Sequence, residues 1–146
     1  MFVFRLESVM NCRKAAEDKA LTDFSDEKRD LEKERQQLDR IQEHKVSLIE
    51  QLRDMQKDGL KADEIALFMD YIRQVQARLA DQENVVRQAV ERVSLKREAL
   101  LAAVKDRKVM ETLKARKLQE YIAESNKAEQ KQMDETAIFR YVRRVP

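Results

Sequence analysis

The chain has 146 residues, 40% of them charged, with one glycine, one proline and a formal net charge of +2. Compact folds of many elements need turn residues at many places, and this sequence offers one such break, so they are excluded. The near-neutral balance supplies no global field for nucleic acid, and a lone cysteine, Cys12, excludes a disulfide framework and a thiolate zinc site.

Met1–Leu6 carries Phe2, Phe4 and Leu6, an alternation too short to define a strand. The segment reads as a short extended lead into a helix that starts near Arg5 and meets no breaker before Asp58. Along that helix apolar residues fall at Phe24, Leu31, Leu38 and Leu52, with Ile41, Leu48 and Met55 offset by three. Leu6, Met10 and Ala20 extend the stripe toward the N-terminus. Such a 3.5-residue apolar period marks helices that supercoil left-handed around a partner. Arg13, Glu17, Glu27, Glu34 and Lys45 fall on the same stripe. Polar residues there cost stability and fix register or partner number.

The break is Gly59, within Lys57-Asp58-Gly59-Leu60-Lys61. Glycine ends helices in the left-handed conformation at low steric cost. A turn over 59–62 then leads to a second helix expected from about residue 63 to 142, with no breaker before Pro146. Asp63 and Glu64 place negative charge in its first turn, where the helix dipole favours it. Ile65, Ile72, Leu79, Val86, Val93 and Leu100 keep step at seven, with Phe68 and Val75 offset by three. Beyond Val104 the same positions hold Arg107, Met110, Lys114, Lys117, Tyr121, Glu124, Ala128 and Lys131. Val109, Leu113, Leu118 and Ile122 lie off that register, which predicts a stutter between Leu101 and Leu113.

The architecture that satisfies these patterns is all-α. It is an antiparallel two-helix coiled-coil hairpin with a longer second helix, one domain over residues 1–146. At about 1.5 Å per residue the helices reach roughly 80 and 115 Å. Folding about Gly59–Leu60 sets Leu52 opposite Phe68, Leu48 opposite Ile72, Ile41 opposite Leu79 and Leu6 near Lys114. Residues after about Lys117 then lack a partner within the chain. An isolated helix of that length is marginal in water, so this overhang is expected to fray, bend back or meet another protein.

No pattern points to catalysis. His44, the only histidine, has Glu43 and Lys45 beside it and no convergent partners, which reads as an exposed helix residue. Cys12 has Arg13 and Lys14 as neighbours that favour a thiolate, but reads more simply as a small residue flanking the coil. One glycine cannot make a phosphate-cradling loop, and a two-helix rod has no walled pocket. An enzyme is therefore the least supported class, with no cofactor and no small-molecule substrate implied. The longest apolar stretch, Ala99–Val104, is too short to span a bilayer, and the N-terminus lacks a signal-peptide core, so the chain reads as cytoplasmic.

The stretch from Lys105 to Lys117 is basic, and its cations can pair with Asp106, Glu111 and Glu120 at helical spacing. The tail Arg140-Tyr141-Val142-Arg143-Arg144 is basic again, with no coil partner, and fits contact with an acidic protein surface or anionic lipid. A basic-region DNA reader needs a denser run fused to a dimer zipper, and that pattern is absent. Tyr71 falls one position off the seam, so it is either an exposed aromatic anchor or a ring lapped over the seam's edge.

Two segments resemble the flagellar export protein FliJ family. The first is Phe4-Arg5-Leu6-Glu7-Ser8-Val9-Met10, with Arg13 and Glu17-Asp18-Lys19-Ala20 following. The second half continues with Tyr71-Ile72, Arg107-Lys108-Val109-Met110-Glu111-Thr112-Leu113-Lys114 and Glu129-Gln130-Lys131-Gln132-Met133-Asp134-Glu135. The likeness covers essentially the whole chain.

The resemblance implies a part in flagellum biogenesis, and so in motility and chemotaxis, as a cytoplasmic component of the type III protein export apparatus. FliJ-like proteins resemble the central stalk of rotary ATP synthases. They are expected to bind the hexameric export ATPase, promote its ring assembly, link it to the cytoplasmic part of the membrane export gate and help recycle export chaperones. That places them peripherally at the inner membrane at the flagellar base. On this basis Arg5, Arg13, Lys114, Lys117, Tyr121, Lys131, Asp134 and Glu135 are candidates for ATPase contact, and Tyr71 and Val75 for the gate. The competing expectation is a purely structural coiled-coil spacer or chaperone-like adaptor with no ATPase partner.

Overall fold

The computed structural model describes residues 1–59 and 61–145. Two helices carry the chain: α1, Glu7–Lys57, and α2, Ala62–Arg144, and the described residues include no strand. The fold is the expected all-α helical hairpin with the longer helix second. Leu60 and Pro146, on which the expected fold-back and the expected helix stop partly rest, lie outside the described residues.

The end of α1 is built as the sequence requires. Gly59 has φ 82°, the left-handed region, and is the one described residue with positive φ. Asp58 N–H is shared between the carbonyls of Asp54 and Met55, and Gly59 N–H donates to Gln56 O at 3.3 Å. These bonds satisfy carbonyls that the last helical turn leaves open. Lys61 O then accepts the first bond of α2, from Ile65 N–H at 3.1 Å.

The chain divides into two compact units. One comprises residues 19–101. Its core is Ile41, Leu48, Val75 and Leu79, with Leu38, Phe68 and Ile72 packed against it. Burying a Leu or Ile side chain contributes about 1.5–3 kcal/mol, so this apolar seam is the main source of its stability. Polar pairs punctuate it. Gln82 donates to Glu34 Oε2 at 2.6 Å and to Glu34 O at 3.0 Å, and Arg92 donates to Glu27 at 3.3 Å.

The other unit comprises residues 1–18 and 102 onward. Here Phe4, Met10 and Met110 are buried, with Phe2 and Leu113 against them. The polar pairs are Arg107 with Glu17, Arg13 with Asp106 at 3.4 Å and Lys114 with Glu7 at 3.1 Å. In one unit the pairing runs from Glu27–Arg92 to Glu34–Gln82 and in the other from Glu7–Lys114 to Glu17–Arg107, so the helices run antiparallel.

Three expectations are corrected. Leu6 is exposed and Phe4 is buried instead, because Arg5 and Leu6 form a turn that tucks the Phe4 ring inward. The stutter does not occur: Leu100, Ala103, Arg107, Met110 and Lys114 are shielded and still in heptad step, Leu113 lies beside them against the same core, and Val109, Leu118 and Ile122 face solvent. Long aliphatic stems let Arg and Lys line a seam while their charged heads reach a partner. Finally, intrachain contact does not end near Lys117. It reaches Tyr121, whose ring meets Phe2 at 5.6 Å between centroids.

A Cβ at Gly59 would meet no atom within 4 Å, so only its backbone conformation resists substitution. Gly59→Ala is expected to destabilise by about 1–2 kcal/mol, and Gly59→Asn by clearly less, because asparagine tolerates the left-handed region. Thermal unfolding followed by circular dichroism checks the order; equal melting temperatures for the two variants would contradict it.

Candidate partner-binding surfaces

Among the described residues the side chains line open depressions. The surface depressions are open grooves along the helices, and no group of three or more His, Cys, Asp or Glu that could hold a metal occurs among the described residues. What the molecule presents are side chains on helix faces, and their geometry decides what each can meet.

In the unit that holds residues 1–18, the sequence candidates divide into three groups. Arg5, Lys117 and Tyr121 line one groove together with Phe4, Leu113 and Glu124. The N-terminal segment makes this groove by folding back on α2. Phe4 O accepts from Glu7 N–H at 3.1 Å, Phe2 stacks on Tyr121 at a tilt of 51°, and the Met1 amine donates to Tyr121 Oη at 3.0 Å. Arg13 and Lys114 lie in the polar ladder, each holding a carboxylate across the seam. Lys117 pairs within its own helix, with Glu120 at 3.4 Å. Lys131, Asp134 and Glu135 sit apart from the groove, exposed and without an ion pair among the described residues.

Arg107 is the centre of the charge pairing. Its Nη1 donates to Glu111 Oε2 at 2.7 Å and its Nε to Glu17 Oε2. Its hydrogen bonds to Glu111 and then to Glu17 hold its pKa above the ordinary guanidinium value. A raised folded pKa stabilises below the unfolded value and is lost only as pH rises through the folded one. That window lies on the far alkaline side, so the guanidinium is charged at every working pH.

Those same pairs change the reading of the basic stretch. Asp106, Glu111 and Glu120 are taken by Arg13, Arg107 and Lys117. Lys105, Lys108 and Arg116 are therefore left without an ion pair among the described residues, flanking an exposed Val109. Sequence reasoning expected this face to neutralise itself. Their spacings of three, eight and eleven, which put them on one face of α2, were the signal that would have separated them from the paired set.

In the unit of residues 19–101, Tyr71 is exposed and shares a 3.2 Å hydrogen bond with His44 Nε2, the rings meeting edge-on at 81°. His44 is thus a positioned histidine with one aromatic partner. Leu67, one turn before Tyr71, is 71% exposed, an apolar side chain that seam counting passed over. Val75 is corrected as a direct contact: it is 1% exposed, the most enclosed large side chain of the core, and a partner cannot touch it without opening the seam. Cys12 is a free, exposed thiol.

A two-helix fold with a polar-paired seam, open grooves and unpaired surface side chains defines a coiled-coil interaction protein. The profile of the flagellar FliJ protein family matches residues 1–145, and the chain belongs to this family. It is a flagellar, type III secretion-associated protein. It is also similar to a solved structure of CT670 from Chlamydia trachomatis, a protein proposed as a YscO homolog. The two are 28% identical, with 97% of this chain and 96% of that one covered and a TM-score of 0.50. No curated protein matches the chain. No helix, among the described residues, is long and apolar enough to cross a membrane.

Removing the guanidinium of Arg107 leaves Glu17, a half-shielded carboxylate, without its partner. Arg107→Ala is expected to lower the melting temperature more than Arg107→Ala combined with Glu17→Gln relative to Glu17→Gln alone. Additive effects in that double-mutant cycle would mean the two residues do not act as a pair.

Proposed function

We propose that this chain is the stalk-like component of the flagellar export apparatus. It binds the hexameric export ATPase, promotes assembly of the ring and links it to the cytoplasmic part of the export gate. The observation that carries this reading is the family match over residues 1–145. In such a role the protein contributes faces and stiffness, and the ATPase contributes the chemistry. It is not itself an enzyme, works in the cytoplasm at the inner face of the membrane, and meets export chaperones in passing.

Residue roles follow from which side chains are free to be touched. The ring contact is assigned to the groove of Arg5, Lys117 and Tyr121, joined by Lys114 and Arg13 at its margin and by Lys131, Asp134 and Glu135 further along α2. Arg5 is the cation of that groove with no ion pair among the described residues, so it is the one that binds an acidic surface without first giving up a partner. The gate contact is assigned to Tyr71, whose ring is held by His44 and therefore loses little freedom on binding. Val75 supports that face from beneath.

Charge reversal of Lys114 and Lys117 to Glu is expected to reduce stimulation of the export ATPase several-fold while far-UV circular dichroism is unchanged. Lys114 also pairs with Glu7, so the swap Glu7→Lys with Lys114→Glu keeps an internal pair and isolates the surface effect. Full stimulation by the Lys114→Glu, Lys117→Glu variant would remove these two cations from the ring contact. Tyr71→Ala is expected to weaken capture of the chain by the gate's cytoplasmic domain, and Val75→Ala to lower stability first; a spacer without these partners would be captured by neither the ATPase nor the gate.

A further inference from the structure

The last turns of α2 have an organisation that neither the seam nor the ring contact uses. Ile138, Phe139, Tyr141, Val142 and Val145 are between 55 and 72% exposed. Projected at about 100° per residue, the four that lie within α2 and Ala137 fill one arc of about 200°. Arg140, Arg143 and Arg144 fill the arc that remains, and none of the three has an ion pair among the described residues. No acidic residue follows Glu135.

The width of the apolar arc decides what can cover it. A coiled-coil partner covers a narrow stripe of two positions in seven, as the seam of this protein does between Phe68 and Leu79. Five apolar residues among the eight from Ala137 to Arg144 leave most of their area uncovered by one such helix. A second copy would also bring three unpaired arginines toward three more. A continuous apolar medium bounded by negative charge satisfies both halves of the helix at once, with Tyr141 suited to the boundary.

We propose that residues 137–144, the end of α2, form an interfacial helix that docks this protein on an anionic lipid surface. The apolar arc enters the boundary between headgroups and acyl chains, and Arg140, Arg143 and Arg144 hold the headgroup phosphates. The assignment goes beyond the export-ATPase reading and needs no ATPase in its assay.

The chain has no tryptophan, so Tyr141→Trp in the full-length protein gives a single reporter on this face. Its emission is expected to move to shorter wavelength with vesicles of phosphatidylglycerol and phosphatidylcholine, and to stay unchanged with phosphatidylcholine alone. Cosedimentation with the anionic vesicles should fall as salt rises. Arg143→Gln with Arg144→Gln should weaken binding about fivefold per arginine, roughly 25-fold together. Ile138→Asp with Val142→Asp should abolish it without changing the melting temperature, since these side chains pack against nothing else. Equal binding to both vesicle types, binding to neither, or binding that survives the double aspartate variant would overturn the proposal. So would a concentration-dependent dimer, seen by analytical ultracentrifugation, that the same aspartates dissolve; the face would then belong to a second copy.

Discussion

The polar pairs across the seam are what make this sequence one structure. An apolar stripe at heptad spacing is nearly indifferent to sliding by one repeat. Glu34 is not indifferent. In the observed register it meets Gln82, but a slip of seven residues either way sets its carboxylate against Val75 or Ala89, both of them buried. Burying an unpaired charge costs several kcal/mol, far more than the 0.2–1 kcal/mol that an exposed pair such as Arg13–Asp106 returns. The pairs therefore act mainly by penalising alternatives. Stability comes from Ile41, Leu48, Val75, Leu79 and their neighbours, and register from the residues that look like defects in the stripe.

That division explains what the sequence made legible. The two long helices, their antiparallel sense and the facing of Ile41 and Leu48 with Val75 and Leu79 follow from spacing and from one glycine. Glu17, Glu27 and Glu34 were visible as seam residues, yet their pairing was not: counting apolar residues discards Gln82 and Arg92, and spacing alone did not join Arg107 to Glu17. The same bias produced the false stutter. Leu118 and Ile122 look like seam material by type, whereas Arg107 and Lys114 are seam by position, their stems doing the packing and their heads the pairing.

The surfaces were harder to read for a different reason. Whether Lys105 or Lys117 is free depends on which carboxylate a neighbouring helix has already taken, and that is a tertiary fact. Asp106 is adjacent to Lys105 in sequence but is bound to Arg13, which is 93 residues away. Val75 fails as a contact on the same logic. It lies one turn after Tyr71, but the roughly 40° of helical rotation between positions four apart separates a side chain against the core from one held at the surface by His44. The family match supplies the machine in which these faces work; burial and pairing decide which faces remain available to it.

A chain with no enclosed site can still be selective if its free groups are few and its committed groups are held. Most of the charge near residues 1–18 and 102–121 is already spent internally: Glu7, Glu17, Asp106, Glu111 and Glu120 all hold cations. A partner arriving there meets Arg5, Lys14, Lys105, Lys108 and Arg116 rather than a diffuse basic field, so its own acids must match those positions. The tail is the opposite case. Its arginines and its apolar arc are both uncommitted, with no fixed neighbour to set a pattern, and such a helix selects for the physical character of a surface more than for its shape. One sequence thus carries two kinds of recognition, positional where helices are paired and compositional where α2 runs on alone.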